Sequence, residues 1–246
     1  MNAASRHPHR APWYRQAVRA LPGHMPLKSL GTMGFIAVFF LAYFYVLKNP
    51  AYPVTVMPVT MFDNLISFQP QAFPLYVSLW VYVSLPPAFL ASRRELYVHG
   101  LGMTAACLTG LVIFYFWPSA VPPATVDWAL YPGMEFLKNL DAAGNACPSL
   151  HVATAVFSGF WLHHLLRRFG APGWALAFNW LWCLGITYST IATRQHVAVD
   201  VGAGFALGAA AGWLSLRWLE GGKVPASPPA PAGCAQPEAQ AVDLLT

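Results

Sequence analysis

The sequence predicts an all-α, polytopic membrane protein built as a six-transmembrane-helix bundle, on three observations. Charged residues make up 9% of the 246 residues, against 57% hydrophobic and 15% aromatic. Soluble domains carry about 25% charge, and charged side chains are what clothe a soluble surface. Six stretches are long and apolar enough to span a bilayer. The basic residues gather on one side of those stretches. So much apolar matter also excludes disorder over most of the length.

A spanning helix needs about 20 predominantly apolar residues. The first such run is 31–47. The second, 73–92, contains Pro86-Pro87 and is expected to kink there. The third is 101–117. The fourth, 150–166, is entered through Cys147-Pro148-Ser149. The fifth is 174–193, and the sixth, 197–218, carries Asp200 near its start. Residues 1–30 form a basic cytoplasmic arm with Trp13 and Tyr14, suited to an anionic inner leaflet. Residues 31–219 are the membrane domain, and 220–246 read as a disordered Pro- and Ala-rich cytoplasmic tail. No A-x-A-like exit follows the first run, which reads as an uncleaved anchor.

Charge sets the orientation. With the N-terminus inside, Arg6, Arg10, Arg15, Arg19, Lys28, Arg93, Arg94, Arg167, Arg168, Arg217 and Lys223 lie on the cytoplasmic side, and only Lys48, Lys138 and Arg194 lie outside. The expected location is the inner (cytoplasmic) membrane, with both termini cytoplasmic. The net charge of +5 is thereby explained by topology, and no nucleic-acid partner is expected. Cys107, Cys147, Cys183 and Cys234 form no C-x-x-C pair and read as apolar fillers plus a stray thiol.

Polar groups within a membrane bundle are costly and usually functional. Six of the eight histidines, His7, His9, His24, His99, His163 and His164, fall inside or at inner helix ends, and the pair His163-His164 beside Arg167-Arg168 reads as an interfacial anchor. Only His151 and His196 fall on the outer side. Pro suits the first position of a helix, so Pro148-Ser149-Leu150-His151 marks an outward-facing helix N-terminus, where unpaired N–H groups attract anions. Ser149 adds a hydroxyl, and His151 a group that changes charge near neutral pH. Read alone, the same residues make a capping Ser with an interfacial His.

The second cluster runs from Ser189-Thr190 through Arg194 to His196 and Asp200. His196 and Asp200 are four apart, placing them on one helix face. A carboxylate bonded to one ring nitrogen leaves the other free to attack. Arg194 offers a fork for phosphate oxygens, and Ser189 and Thr190 add hydroxyls. An Arg194–Asp200 pair closing the helix end is the plainer alternative. Gly204, Gly208 and Gly212 follow at four-residue intervals and predict close helix packing.

These residues resemble the type 2 phosphatidic-acid phosphatase superfamily, whose six-helix core carries a P-S-x-H motif and, one helix later, a motif ending H-x-x-x-D. Pro148-Ser149-Leu150-His151 matches the first and His196 to Asp200 the second. The resemblance covers roughly 101–219. Three departures stand beside it: no Arg-Pro dipeptide, and so no K-x-x-x-x-x-x-R-P motif; Leu150 where Gly is usual; and Ser189-Thr190 where Ser-Arg is usual. The Ser-Leu-His and Ser-Thr forms resemble the inositol-phosphorylceramide synthase branch. Arg194 and Lys138 are the outer cations near enough in sequence to replace the missing ones.

The resemblance implies a lipid phosphate phosphatase with a periplasmic active site. In that reading His196 attacks phosphorus and forms a phosphohistidine, Asp200 orients it, and His151 protonates the leaving alkoxide and then activates the incoming water. Ser149, Arg194, Thr190, Ser189 and Lys138 would hold the substrate. The expected partners are a lipid phosphate or phospholipid substrate and the bilayer, with no cofactor and no metal. Transfer of a phospho-head-group between lipids is the alternative chemistry, and a non-catalytic scaffold or transporter the alternative class.

Overall fold

The computed structural model describes residues 11–135 and 145–221. Its helices include α1 (Trp13–Ala20), α2 (Met25–Lys48), α3 (Met61–Leu65), α4 (Phe73–Val77), α5 (Leu79–Phe89), α6 (Arg93–Phe116), α7 (Leu150–Phe169), α8 (Gly173–Ala192) and α9 (Ala198–Gly221). Among the described residues the strands are β1 (Thr55–Val56) and β2 (Ser119–Ala120), which pair in parallel and tie two loops together.

Five segments are long and apolar enough to cross a membrane: Met25–Lys48, Pro70–Phe89, Arg93–Phe116, Gly173–Ala192 and Ala198–Gly221. The expected fourth span, α7, has 20 residues but is not among them. Thr154, Ser158, His163, His164, Arg167 and Arg168 lower its hydropathy. It can carry them because it is the central helix, packed against α1, α5, α6, α8 and α9. Val152, Ala153, Ala155, Val156, Phe157 and Trp161 on it are fully buried. A helix surrounded by protein answers to packing partners rather than to lipid. The outer helices behave oppositely, exposing Leu30, Leu41, Trp80, Leu181 and Trp213.

Several helices outrun the apolar windows. Ser92 caps α6 in a reciprocal box with Glu95, so this helix begins eight residues before the expected span, with Arg93 and Arg94 in its first turn. The break in the second span falls at Ser78, between α4 and α5, and not at Pro86-Pro87. The two prolines instead lie near the end of α5, which terminates at Phe89. The arm is structured in part. Trp13–Ala20 is helical and docks on the end of α7, with Ala17 and Ala20 packed beside Leu165 and Phe169. Lys28 is buried and donates to the carbonyls of Ala20 (2.8 Å), Leu21 (3.2 Å) and Ala88 (2.7 Å), which fastens α1 and α2 to the bundle. Cys107, Cys147 and Cys183 are buried and unpaired; Cys234 lies outside the described residues.

The glycine row seats α9 against α7. A Cβ on Gly204 would lie 2.3 Å from the carbonyl oxygen of Ser149, and one on Gly208 2.2 Å from that of Ala153. At Gly212 it would meet Cβ of Phe160 at 3.0 Å. Backbone therefore lies against backbone along the upper half of α9, a distance only glycine permits. The same logic explains Leu150: a Cβ on Gly110 of α6 would come within 2.5 Å of its side chain. The expected result of Gly204→Ala or Gly208→Ala is a loss of about 1–3 kcal/mol from overpacking, read as a lower melting temperature in detergent. Gly202→Ala is the control, since nothing lies within 4 Å of its would-be Cβ, and it should be neutral or slightly stabilising.

Candidate active site

Ser149 is the N-cap of α7: its Oγ accepts from the Val152 N–H at 3.3 Å. Pro148 thus precedes the cap rather than opening the helix, and its peptide bond to Cys147 is cis. His151 lies in the first turn. Its Nε2 is 3.1 Å from the Tyr76 carbonyl, and a carbonyl only accepts, so Nε2 carries the proton and Nδ1 is left as the acceptor. The Tyr76 ring stacks on the imidazole, with centroids 4.0 Å apart and 16° between planes.

The second cluster is not one helix face, as its spacing suggested. α8 ends in a Schellman turn: Gln195 N–H donates to Thr190 O (3.0 Å) and Arg194 N–H to Ile191 O (2.9 Å). Arg194 holds the left-handed position, φ 57°, where glycine is usual. His196 therefore sits in the turn before α9, and Asp200 in the first turn of that helix. The two still meet. His196 Nδ1 lies 3.6 Å from Asp200 Oδ2, and Oδ2 also accepts from the Val197 N–H at 3.1 Å. At 3.6 Å the two atoms face each other without a hydrogen bond, and closing by roughly 0.6 Å makes one. Catalytic bonds often tighten so when substrate arrives. His196 is 8% exposed and Asp200 fully buried.

The two motifs are joined by one backbone bond, Ser149 N–H to Asp200 O at 3.0 Å. His151 and His196 line a common cavity of about 630 Å³. Away from the histidines its walls are mostly apolar, from Phe39 and Tyr43 of α2, Leu79 and Val83 of α5, and Met103 and Cys107 of α6. The cavity reaches Leu27 near the far end of α2, about 25 Å from Phe44 at a helical rise of 1.5 Å per residue.

The other expected substrate ligands are placed differently. Ser189 and Thr190 are fully buried, and their hydroxyls donate within α8, to Ile186 O (2.6 Å) and Thr187 O (2.7 Å). Arg194 does not line the cavity; Nη1 donates to Asp63 O (3.1 Å) and Nη2 to Ile66 O (3.0 Å). Lys138 lies outside the described residues. Among the described residues no group of three or more His, Cys, Asp or Glu is disposed to hold a metal ion. Cys147 is a poor rival nucleophile, since burial, with the Asp200 carboxylate near, pushes its thiol up to about 11.

Sequence reasoning missed Tyr76, Asn145 and Gln195, all of which line the cavity beside the histidines. It also missed Asp63. This buried carboxylate accepts from Thr60 N–H and Oγ1 (2.7 Å each) through Oδ2, and from the Ala198 N–H at 2.7 Å through Oδ1. Together with Arg194 it clamps α3 and the residue after it onto the turn that carries His196. No sequence signal marks Tyr76 or Asp63, whose partners lie 75 and 135 positions away; Asn145 and Gln195 are near neighbours of the histidines in the chain but stand outside both motifs. Asp63→Ala should destabilise the protein by about 1–3 kcal/mol, the cost of stranding buried donors, and slow turnover by displacing His196. Arg194→Gly relieves the left-handed strain but removes the clamp. If the clamp governs, thermal melting of Arg194→Gly will track Arg194→Ala; if the turn governs, the Gly variant will melt above wild type.

Comparison with known proteins bears on this geometry. Residues 103–222 match the model of the PAP2 superfamily, whose members are generally phosphoesterases or phosphotransferases. No curated protein and no solved structure matches the chain. The matched stretch takes in most of α6 and all of α7, α8 and α9, and so both histidine motifs; α2 and α5, which wall the cavity, lie before it.

Proposed function

We propose that the chain is a PAP2-superfamily lipid phosphate phosphatase that works through a phosphohistidine. The observation that carries this reading is the joint placement of His151 and His196 at the polar end of a long apolar cavity. An amphiphile fits such a space, with its chain between α2, α5 and α6 and its phosphoryl group at the imidazoles. His196 attacks phosphorus through Nε2 as the bond to the lipid alkoxide breaks, while the buried Asp200 carboxylate stabilises the imidazolium. His151, protonated at Nδ1 for this step while its Nε2–H stays on the Tyr76 carbonyl, gives the Nδ1 proton to the alkoxide. In the second half, water attacks the phosphohistidine, His151 takes its proton, and phosphate leaves with His196 restored. The step from Ser149 into α7 brings the dipole end of that helix to the site, where negative charge accumulates.

α7 is taken as the fourth of six spans, its polar residues tolerated by its central position. The site then faces the periplasm of the inner membrane, with both termini inside, because α7 runs from the histidine motif to Arg167-Arg168. Single cysteines in a Cys234→Ser background test this. Val59→Cys should react with an impermeant thiol reagent in intact spheroplasts, and Val18→Cys only after lysis; the reverse pattern would invert the topology.

One observation favours a second reading, transfer of a phospho-head-group to a lipid alcohol. Arg194, the cation nearest His196 in sequence, is occupied by the carbonyls of Asp63 and Ile66. A dianionic monoester needs more compensating charge than a monoanionic diester. The test is purified protein in detergent with a panel of lipid monophosphates, diphosphates and diesters. Phosphate release that vanishes in His196→Ala and drops ~10²–10⁴-fold in Asp200→Asn, as for a misdirected imidazole, supports hydrolysis. New lipid from a diester, with no phosphate from any monoester, replaces it by transfer. Full activity in His196→Ala removes both.

A further inference from the structure

Asn145 lies in the chain just before the histidine motif, and its placement is unusually fixed. Its backbone forms a parallel bridge with Ser119. The next residue, Ala146, donates its N–H to Ser119 O at 3.0 Å, and Cys147 donates to Ser119 Oγ at 2.8 Å. Ser119 itself is fully buried and belongs to β2, which is paired to β1. The segment is thus strapped from one side by β2 and from the other by the cap of α7.

The side chain held there is 6% exposed, and among the described residues neither its Nδ2 nor its Oδ1 has a hydrogen-bond partner. A buried, rigidly placed amide with both atoms unpaired is costly and calls for an explanation. Asn145 lines the same cavity as His151 and His196. Two neighbouring side chains are engaged, since the Thr154 hydroxyl donates to Leu150 O at 2.9 Å and Gln195 Nε2 donates weakly to Thr193 O at 3.4 Å; His196 Nδ1 and Asp200 Oδ1 belong to the histidine–carboxylate pair already described. We infer that the Asn145 amide is a ligand of the transferred phosphoryl group, donating from Nδ2 to a nonbridging oxygen. This rests on the phosphoryl-transfer reading above and adds to it a neutral donor. An amide supplies direction without charge, in a site whose nearest arginine is bonded elsewhere. Its Oδ1 remains an acceptor for the hydroxyl of the incoming water or alcohol.

The test uses the full-length protein in detergent with orthovanadate, which mimics five-coordinate phosphorus. Melting temperature is followed against vanadate concentration for wild type, Asn145→Ala and Asn145→Asp, alongside turnover of the best substrate in the panel. Wild type should be stabilised by vanadate. Asn145→Ala should melt without ligand at or above the wild-type temperature, because no hydrogen bond is lost. It should need at least about tenfold more vanadate and turn over roughly 10²-fold more slowly, the effect of losing one preorganised donor. Asn145→Asp, nearly the same in shape, should bind vanadate more weakly still. Undiminished vanadate binding in either variant overturns the inference and leaves the phosphatase reading intact. So does a large drop in the unliganded melting temperature of both, which would reveal a structural partner. A wild type that ignores vanadate overturns the inference and the phosphoryl-transfer reading together.

Discussion

The close contact of α9 with α7 is the constraint on which the site depends. Gly204 and Gly208 let the α9 backbone lie against the carbonyls of Ser149 and Ala153, and the Ser149 N–H closes on Asp200 O. Backbone-to-backbone contact leaves little room for sliding, because any shift drives main-chain atoms together. The motif that carries His151 and the motif that carries Asp200 are consequently held as one rigid piece. Hydrophobic burial stabilises this piece from below, through Val152, Val156, Ile186 and Val201, but burial has no direction. The glycine contact and the single backbone bond supply the direction.

His196 needs a second device, since it lies outside both helices. The turn between α8 and α9 is shaped by a left-handed arginine, a conformation that is strained for any residue with a side chain. The strain is held in place by the two carbonyls that receive the guanidinium and by the Asp63 carboxylate at the start of α9. A loop from the first half of the chain thereby fixes a residue of the second half. The conformation of Arg194 and its hydrogen bonds explain each other: the left-handed backbone turns the side chain toward Asp63 and Ile66.

The apolar character of the chain has two distinct consequences in the fold. On the outward faces of α2, α5, α8 and α9 it leaves large side chains exposed, as lipid-facing helices require. Between α2, α5 and α6 it lines a cavity, because α2 packs only lightly on its neighbours. The same residue types serve both, so a hydropathy profile cannot separate a wall of the cavity from a surface facing lipid.

What the sequence determined by itself was local or periodic. Apolar windows located five of the helices long enough to span, and the four-residue glycine repeat announced the packing of α9. His151, His196 and Asp200 were legible because each belongs to a short motif whose members are neighbours in the chain, although the spacing of His196 and Asp200 misled as to their common helix. Tertiary structure alone decided the rest. That Arg194 serves a distant loop, that Tyr76 stacks on His151 and that Asp63 braces the turn of His196 depends on contacts between segments far apart in sequence. Such contacts leave no period and no motif, since hydrogen bonds and stacking are set by distance and angle in space, which a linear order of residues does not carry.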